Sequence, residues 1–372
     1  VNTFLSSSQE ALKEQYLAFA QEQVLPNVNE LEEQTLNLKE FLQKFGQQGY
    51  LGITVPKEYG GAGGNFINLV LFVEAITQYD AGLGLTLASH YGVLELINKY
   101  GTDVQKSRYL PLLARGECIG ALAINEQQAG TDFLAVTTSS SSDNLLTGHK
   151  TWVVNGSLAG LFAVLTRDQN GSLTIRLLDP PADKTISVGP DKRKLGLRSA
   201  YTNDVTFENY QLGKDSLIAG GKTEEAIEFA MNVAKVIAGS AALGVVESAL
   251  IHSAEHARNR EQFGQKISQF QGIQWKLADM SAEAAAARLL TYRAAWSKDE
   301  KPADFARDAA MSKLFASKVA RVHSAEAVQV LGSLGIMSDT PTERAYRDSK
   351  VLEIAEGTSE AQKLSLVKEL GI

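Results

Sequence analysis

The 372-residue sequence has a single cysteine, eight prolines and no long hydrophobic run. Cys118 alone can make neither an internal disulfide nor a cysteine-only metal site, so a reducing, cytoplasmic setting is expected. Without an unbroken stretch of about 18 apolar residues, no membrane-spanning helix is expected. The opening Val1-Asn2-Thr3-Phe4-Leu5 lacks the basic-then-apolar order of a secretory signal. Positive charge is also short: 36 Lys and Arg against 43 Asp and Glu leave a net charge of -7, which offers no general field for nucleic acid. Several chemical signatures are missing as well. The glycines from Gly60 to Gly64 run into Asn65-Phe66, with neither a Gly-Lys-Ser/Thr nor a strand-linked G-x-G-x-x-G, so they are read as a turn. His252 and His256 stand four apart without a third ligand, and no G-x-S-x-G elbow occurs. A zinc site, or any other metal site, and a serine hydrolase are therefore not expected.

What remains is an ordinary globular composition, 44% hydrophobic and 21% charged, long enough for two or three domains. The pattern changes twice. Over residues 1–115 apolar positions recur at helical spacing, as in Leu12, Tyr16 and Phe19, then Phe41, Leu42 and Phe45. Over 116–221 the pattern favours strands: Val136 to Ser140, Leu145 to Val154, Phe162 to Thr166 and Leu173 to Leu178. Asn170-Gly171 forms a hairpin turn, and Pro180, Pro181 and Pro190 lie in connections. Over 222–372 the chain is alanine-rich. Helical patterns run from Thr223 to Arg258, Ser268 to Lys298, Asp304 to Leu331 and Lys350 to Leu370, with Pro302 and Pro341 in the linkers. The expectation is a mainly α, α+β chain: an N-terminal helical domain, a central antiparallel β domain and a C-terminal four-helix bundle.

One acidic residue stands apart. Glu356 lies between Ile354-Ala355 and Gly357-Thr358-Ser359, among small and apolar neighbours. Desolvation there would raise its pKa and make it a better proton acceptor. A carboxylate beside Gly-Thr-Ser also suits a helix start, and composition alone leaves both roles open.

Several segments carry a resemblance when taken in order. They are Tyr59-Gly60-Gly61-Ala62-Gly63-Gly64; Asn125-Glu126-Gln127-Gln128-Ala129-Gly130-Thr131-Asp132; and Gly148-His149-Lys150-Thr151-Trp152-Val153-Val154-Asn155-Gly156. In the second half come Arg260-Glu261-Gln262-Phe263-Gly264, Gln329-Val330-Leu331-Gly332-Ser333-Leu334-Gly335, and Glu343 to Lys350 followed by Glu356-Gly357-Thr358-Ser359-Glu360. Together they cover nearly the whole chain and resemble the acyl-CoA dehydrogenase family.

The resemblance implies FAD as cofactor and a homotetramer as assembly. By the same analogy Ile124, Asn125, Gly130, Thr131, Trp152 and Val154 would line the flavin. Arg260, Gln262 and Phe263, with Gln329, Gly332 and Ser333 of a neighbouring copy, would hold the dinucleotide; Thr358 and Glu360 are further flavin contacts. Arg260 offers the cationic fork a pyrophosphate needs, and Trp152 a flat wall for the isoalloxazine ring. Glu356 matches the base of the short- and medium-chain members, since the alternative base position in the bundle is Ala234 here. Thr131, Asn232, Lys235, Ala355 and Gly357 would meet the substrate. The implied reaction is dehydrogenation of a small acyl-CoA, with electrons passed to an electron-transfer flavoprotein. Departures bear on that reading. Val154 stands in place of a Thr hydroxyl, Asn125 and Gln127 replace Thr and Pro, Ala355 replaces a Tyr, and Asn232 and Lys235 replace an Asp and an Arg. They open a second expectation: an acyl, hydroxyacyl or aminoacyl group tethered to an acyl carrier protein, with molecular oxygen as acceptor.

Overall fold

The computed structural model describes residues 5–180 and 184–369. Pro181 and Leu370 lie outside them. Eleven α-helices and ten strands are found among the described residues. The N-terminal region is helical: α1 (Ser7–Phe19), α2 (Val28–Glu32), α3 (Leu38–Gln47), α4 (Phe66–Thr77), α5 (Ala81–Tyr100) and α6 (Asp103–Ala114). Local chemistry sets the starts. Ser6 with Gln9 and Thr102 with Gln105 form capping boxes, and the Asp80 carboxylate accepts the Leu83 N–H at 3.0 Å to cap α5. Both α4 and α5 are buried along nearly their whole length, because their apolar residues run around the helix rather than along one stripe. The glycine turn behaves as the sequence suggests. Gly60 is left-handed, and a Cβ on Gly61 would stand 2.3 Å from the Val55 carbonyl oxygen.

The central region comprises β1 (Ile119–Ala123), β2 (Ser139–Ser140), β3 (Leu145–Val154), β4 (Ala159–Arg167), β5 (Leu173–Leu178), β6 (Ile186–Val188), β7 (Thr202–Gln211) and β8 (Leu217–Ile218). They form one sheet in the order β6-β7-β3-β2-β4-β5-β8, with β1 beside β4. Asn170-Gly171 closes the β4–β5 hairpin, whose register runs from Arg167 opposite Leu173 to Phe162 opposite Leu178. The sheet is not purely antiparallel: β1 runs parallel to β4, and β2 meets β4 in parallel at Ser139 and Arg167. The strand expected over Val136 to Ser140 shrinks to Ser139-Ser140. The backbone N–H groups of Thr137 and Thr138 donate instead to the Glu126 carboxylate, so that stretch has no ladder to join.

The C-terminal region holds α7 (Thr223–Asn259), the short hairpin β9 (Glu261–Gln262) and β10 (Gln265–Lys266), α8 (Gln271–Glu300), α9 (Phe305–Leu331), α10 (Pro341–Ile354) and α11 (Ser359–Glu369). Two expectations are corrected here. The helix expected from Lys350 to Leu370 is broken between Ile354 and Ser359, because Glu356 and Gly357 both adopt left-handed backbone. Pro341 is not in a loop. It occupies the first turn of α10, where a missing N–H costs nothing. The apolar run remains interrupted, by Lys235 among others, yet one helix is long and apolar enough on average to match a membrane span. An 18-residue window of α7 reaches a mean hydropathy of 1.7, but 83% of that window is buried inside the protein.

Helix α7 is the central column. Ser240 Oγ donates to the Val70 carbonyl at 2.7 Å, and a Cβ on Gly244 would lie 2.1 Å from Thr77 Oγ1, so α4 and α7 approach backbone to backbone. Two of the hydrogen bonds that dock the β domain on this body frame the site. Ser89 Oγ of α5 donates to the Val154 carbonyl at 3.2 Å, and Leu197 N–H donates to Asp348 of α10 at 2.6 Å.

Candidate active site

Glu356 sits where α10 stops. Ala355 is the C-cap, with extended backbone and its N–H donated to the Val351 carbonyl at 2.8 Å; it packs on the main core. Glu356 then turns left-handed at φ 54° and Gly357 follows at φ 89°. Thr358 opens the next helix: its Oγ1 accepts the Ala361 N–H at 3.2 Å, so this hydroxyl serves as the cap of α11. Glu360 lies exposed in the first turn of α11. The Glu356 backbone N–H is left without an acceptor among the described residues.

The Glu356 side chain is half-buried, and desolvation pushes its carboxyl up to about 7. Two ammonium groups, Lys313 of α9 and Lys235 of α7, pull against that rise. Burial in turn lowers Lys235 to about 8 against the attraction of Glu228 and Glu356. It lowers Lys313 to about 8 as well, against Glu356 and Glu353. Lys235 Nζ donates to Asn232 Oδ1 at 2.8 Å, so the two expected substrate contacts are bound to each other on successive turns of α7. The outcome is a carboxyl poised near neutrality, whose ionised form is held by two nearby cations.

The segment expected along the flavin is organised by a buried ion pair that sequence reasoning passed over. Lys150 Nζ donates to Glu126 Oε1 at 2.8 Å and to the Ile124 carbonyl at 2.9 Å. Glu126 also accepts from Thr137 N–H at 2.7 Å and from Thr138 N–H at 2.9 Å. Burial opposes ionisation of Glu126, but the Lys150, Thr138 and Thr137 hydrogen bonds outweigh it and hold the carboxyl well below the usual range. This pair closes the loop from Ile124 to Thr138, whose outer arc presents Gly130 and Thr131 exposed. The Asn125 carbonyl accepts the Thr151 N–H at 2.9 Å, which ties that loop to β3. At the next residue a bulge turns Trp152 left-handed at φ 57° and leaves it 55% exposed. Lys192 Nζ stands 5.0 Å from its ring. Val154 is half-buried at the end of the same strand, its carbonyl bound by Ser89.

The second group of expected residues lies elsewhere, at the ends of two bundle helices. Arg260 ends α7, Gln262 lies in β9, and Phe263 is 93% exposed in left-handed backbone. Gln329 is exposed near the end of α9, which Gly332 terminates at φ 60°, followed by exposed Ser333. No carboxylate pairs with Arg260 among the described residues, so its guanidinium remains available to an anion. A free guanidinium, an exposed aromatic and open glycine backbone suit a dinucleotide, and bare Trp152 suits a flat ring. These features fit FAD.

Sequence reasoning missed Lys313, Gln362 and the Glu126–Lys150 pair. Glu126 and Lys150 each lie within a segment that carries the resemblance, but nothing in those segments pairs them. Lys313 had only one signal, a lone cation in the otherwise small and apolar run Ala309-Ala310-Met311-Ser312-Lys313-Leu314-Phe315-Ala316.

Comparisons with known proteins accord with this geometry. Models of the acyl-CoA dehydrogenase N-terminal, middle and C-terminal domains match residues 6–117, 121–210 and 224–371. The short-chain specific acyl-CoA dehydrogenase of Clostridium acetobutylicum is 35% identical over 370 residues, covering 97% of each chain. The butyryl-CoA dehydrogenase structure from Megasphaera elsdenii superposes with a TM-score of 0.93 at 30% identity, over 100% of both chains. An acyl-CoA dehydrogenase complexed with FAD from Bacillus anthracis gives 0.92 at 29% identity, over 99% of this chain and 67% of that one. A prolyl acyl carrier protein oxidase gives 0.93 at 27% identity, over 99% of this chain and 100% of that one. The chain is an FAD-dependent oxidoreductase and belongs to the acyl-CoA dehydrogenase family.

Proposed function

We propose that this enzyme dehydrogenates a small acyl-CoA between C2 and C3, with Glu356 as the proton acceptor. The observation that carries the reading is the environment of Glu356: a carboxyl raised to about 7, beside two buried ammonium groups, on a loop that projects between two helices. A base with a pKa near the working pH combines enough ionised form with enough basicity to take a carbon-bound proton. FAD, which Arg260, Gln262, Phe263 and Trp152 would hold, would supply the acceptor for the hydride leaving C3 and a route for its electrons to an electron-transfer flavoprotein. The rest belongs to the chain. The unpartnered Glu356 N–H is available to the thioester carbonyl, where it would stabilise the enolate that forms as C2 loses its proton. The proton ends on the Glu356 carboxylate and the product is the enoyl thioester. Arg260, Gln262 and Phe263 are exposed together with Gln329, Gly332 and Ser333, which supports a homotetramer in which neighbouring copies complete the dinucleotide site. Light scattering of the purified holoenzyme tests that assembly.

A second reading has its own support. Val154 supplies no hydroxyl beside the flavin, Asn232 and Lys235 are bound to each other, and a prolyl acyl carrier protein oxidase shares the fold along nearly the full chain. On that reading the acyl or aminoacyl group arrives on a carrier protein, and oxygen takes the electrons. One experiment tests both. Anaerobic addition of four- to eight-carbon acyl-CoAs is expected to bleach the flavin nearly stoichiometrically. Faster bleaching by the matching carrier-bound thioester would favour the second reading, and no bleaching by either would overturn both.

A further inference from the structure

The base stands on backbone that does not hold itself. Glu356 and Gly357 are left-handed in succession and lie outside any helix; a residue with a side chain adopts that conformation only against a steric cost. Two buried side chains from other helices supply the restraint. Lys313 of α9 has no exposed surface, and its Nζ donates to the Glu353 carbonyl at 2.9 Å and the Gly357 carbonyl at 2.5 Å. Gln362 of α11, equally buried, donates its Nε2 to the Gly357 carbonyl at 3.0 Å and the Glu356 carbonyl at 3.3 Å. Carbonyls on both sides of the Glu356 side chain are thus tied to one ammonium.

Packing does not explain a lysine here. A methionine would fill similar space without the large desolvation cost of a buried cation. No carboxylate lies within ion-pair distance of Lys313 among the described residues, so the charge is not there to close a salt bridge. The charged groups that face it come from every neighbouring element: Glu356 on the loop, Glu353 on α10, Glu360 on α11 and Lys235 on α7.

We propose that Lys313 is the positioning residue for the proton acceptor: its ammonium pins the loop from Glu353 to Gly357 and so fixes where the Glu356 carboxylate stands. The proposal rests on Glu356 being the base. The same cation favours the ionised carboxylate by simple attraction, so it sets both the place and the readiness of the base.

The test uses the FAD-loaded enzyme with Lys313→Met, which removes donors and charge, and Lys313→Gln, which keeps donors and removes charge. The Lys313→Met variant is expected to keep its FAD and its KM while kcat falls. The acid limb of its pH profile should move upward by about 1 unit, lowering the rate at pH 7 about fivefold. Deuterium uptake by the amides of residues 353–358 should quicken. For Lys313→Gln the same upward move of the acid limb is expected, with slower deuterium uptake than in Lys313→Met. An acid limb at the parental position in Lys313→Gln overturns the charge role, whether or not Lys313→Met folds; parental kcat and parental deuterium uptake in Lys313→Met, or in Lys313→Ala if Lys313→Met does not fold, overturn the positioning role. Glu356→Gln, measured in parallel, separates the two ideas. If it turns over at the parental rate, the base assignment fails first. If it is inactive while both Lys313 variants keep the parental rate and pH profile, the positioning role alone fails.

Discussion

Position 357 admits only glycine for two independent reasons. Its φ of 89° disfavours any side chain, and a Cβ there would stand 2.6 Å from Gln362 Nε2, one of the donors that hold the loop. Gly357→Ala is therefore expected to cost about 1–2 kcal/mol of stability and to displace the neighbouring base. Thermal denaturation and the dehydrogenation rate should both register it, the rate more strongly. Glu356 carries a prediction in pH. Its carboxyl is raised to about 7, so it holds a proton below that value, and acyl-thioester dehydrogenation should rise with pH through neutrality and then level off. The small and apolar neighbours of this acid made its desolvation legible in the sequence, while they left base and helix start both open; the assignment as base came from the resemblance to the acyl-CoA dehydrogenase family. Lys313 was not legible. A lysine in a helical run ordinarily reads as solvated, and its burial arises only when α10 and α11 fold back across α9, through contacts distant in sequence.

At the scale of elements, the buried Glu126–Lys150 pair fastens the flavin-side loop to β3. Breaking such a pair from one side strands a charge in a dry interior. Lys150→Met should thus cost about 3–5 kcal/mol and weaken FAD retention, while Glu126→Gln combined with Lys150→Met should cost less than the single change. Chemical denaturation of the two variants beside the parent measures this. The clasp between α10 and the β domain gives a prediction of opposite character. Burial pushes Asp348 from 3.8 up to about 7, with Asp80 and Glu32 adding to the rise and the Leu197 N–H opposing it. Between those values the folded chain keeps a proton that the unfolded chain has released, so this group's contribution to stability declines as pH rises. Asp348→Asn retains a carbonyl acceptor for Leu197 and loses the titration. Its Tm should fall less steeply than the parent's across that window, and a parallel pair of Tm curves would refute the assignment. Strands from Leu145 to Val154 and from Leu173 to Leu178 followed directly from alternation and the Asn-Gly turn. The split of the last helix did not, because helical periodicity continues across Ala355–Thr358 and only the left-handed pair at 356 and 357 breaks it.

For the whole molecule, α7 joins what the sequence presents as separate regions. Residues of the N-terminal helices, of β4 and β5 and of the bundle share one core, whereas the other face of the sheet, around Phe162, Val205 and Phe207, has its own. Periodicity locates three regions along the chain but carries no information on which faces meet, so this shared core was not legible. It also explains the apolar window of α7, whose residues face protein on all sides. Gly244→Val, set against Thr77, should cost about 1–3 kcal/mol by overpacking. The N-terminal helices and the bundle should then melt together at a lower Tm, not in two steps. The family membership and the fold it entails rest on nearly the full chain. The chemistry rests on one side chain. The measurement that addresses it most directly is anaerobic reduction of the bound flavin by a four-carbon acyl-CoA in the parent enzyme and in Glu356→Gln. The account predicts that the variant retains FAD and binds the thioester but bleaches about 10²–10⁴-fold more slowly. Bleaching of Glu356→Gln at the parental rate would contradict it.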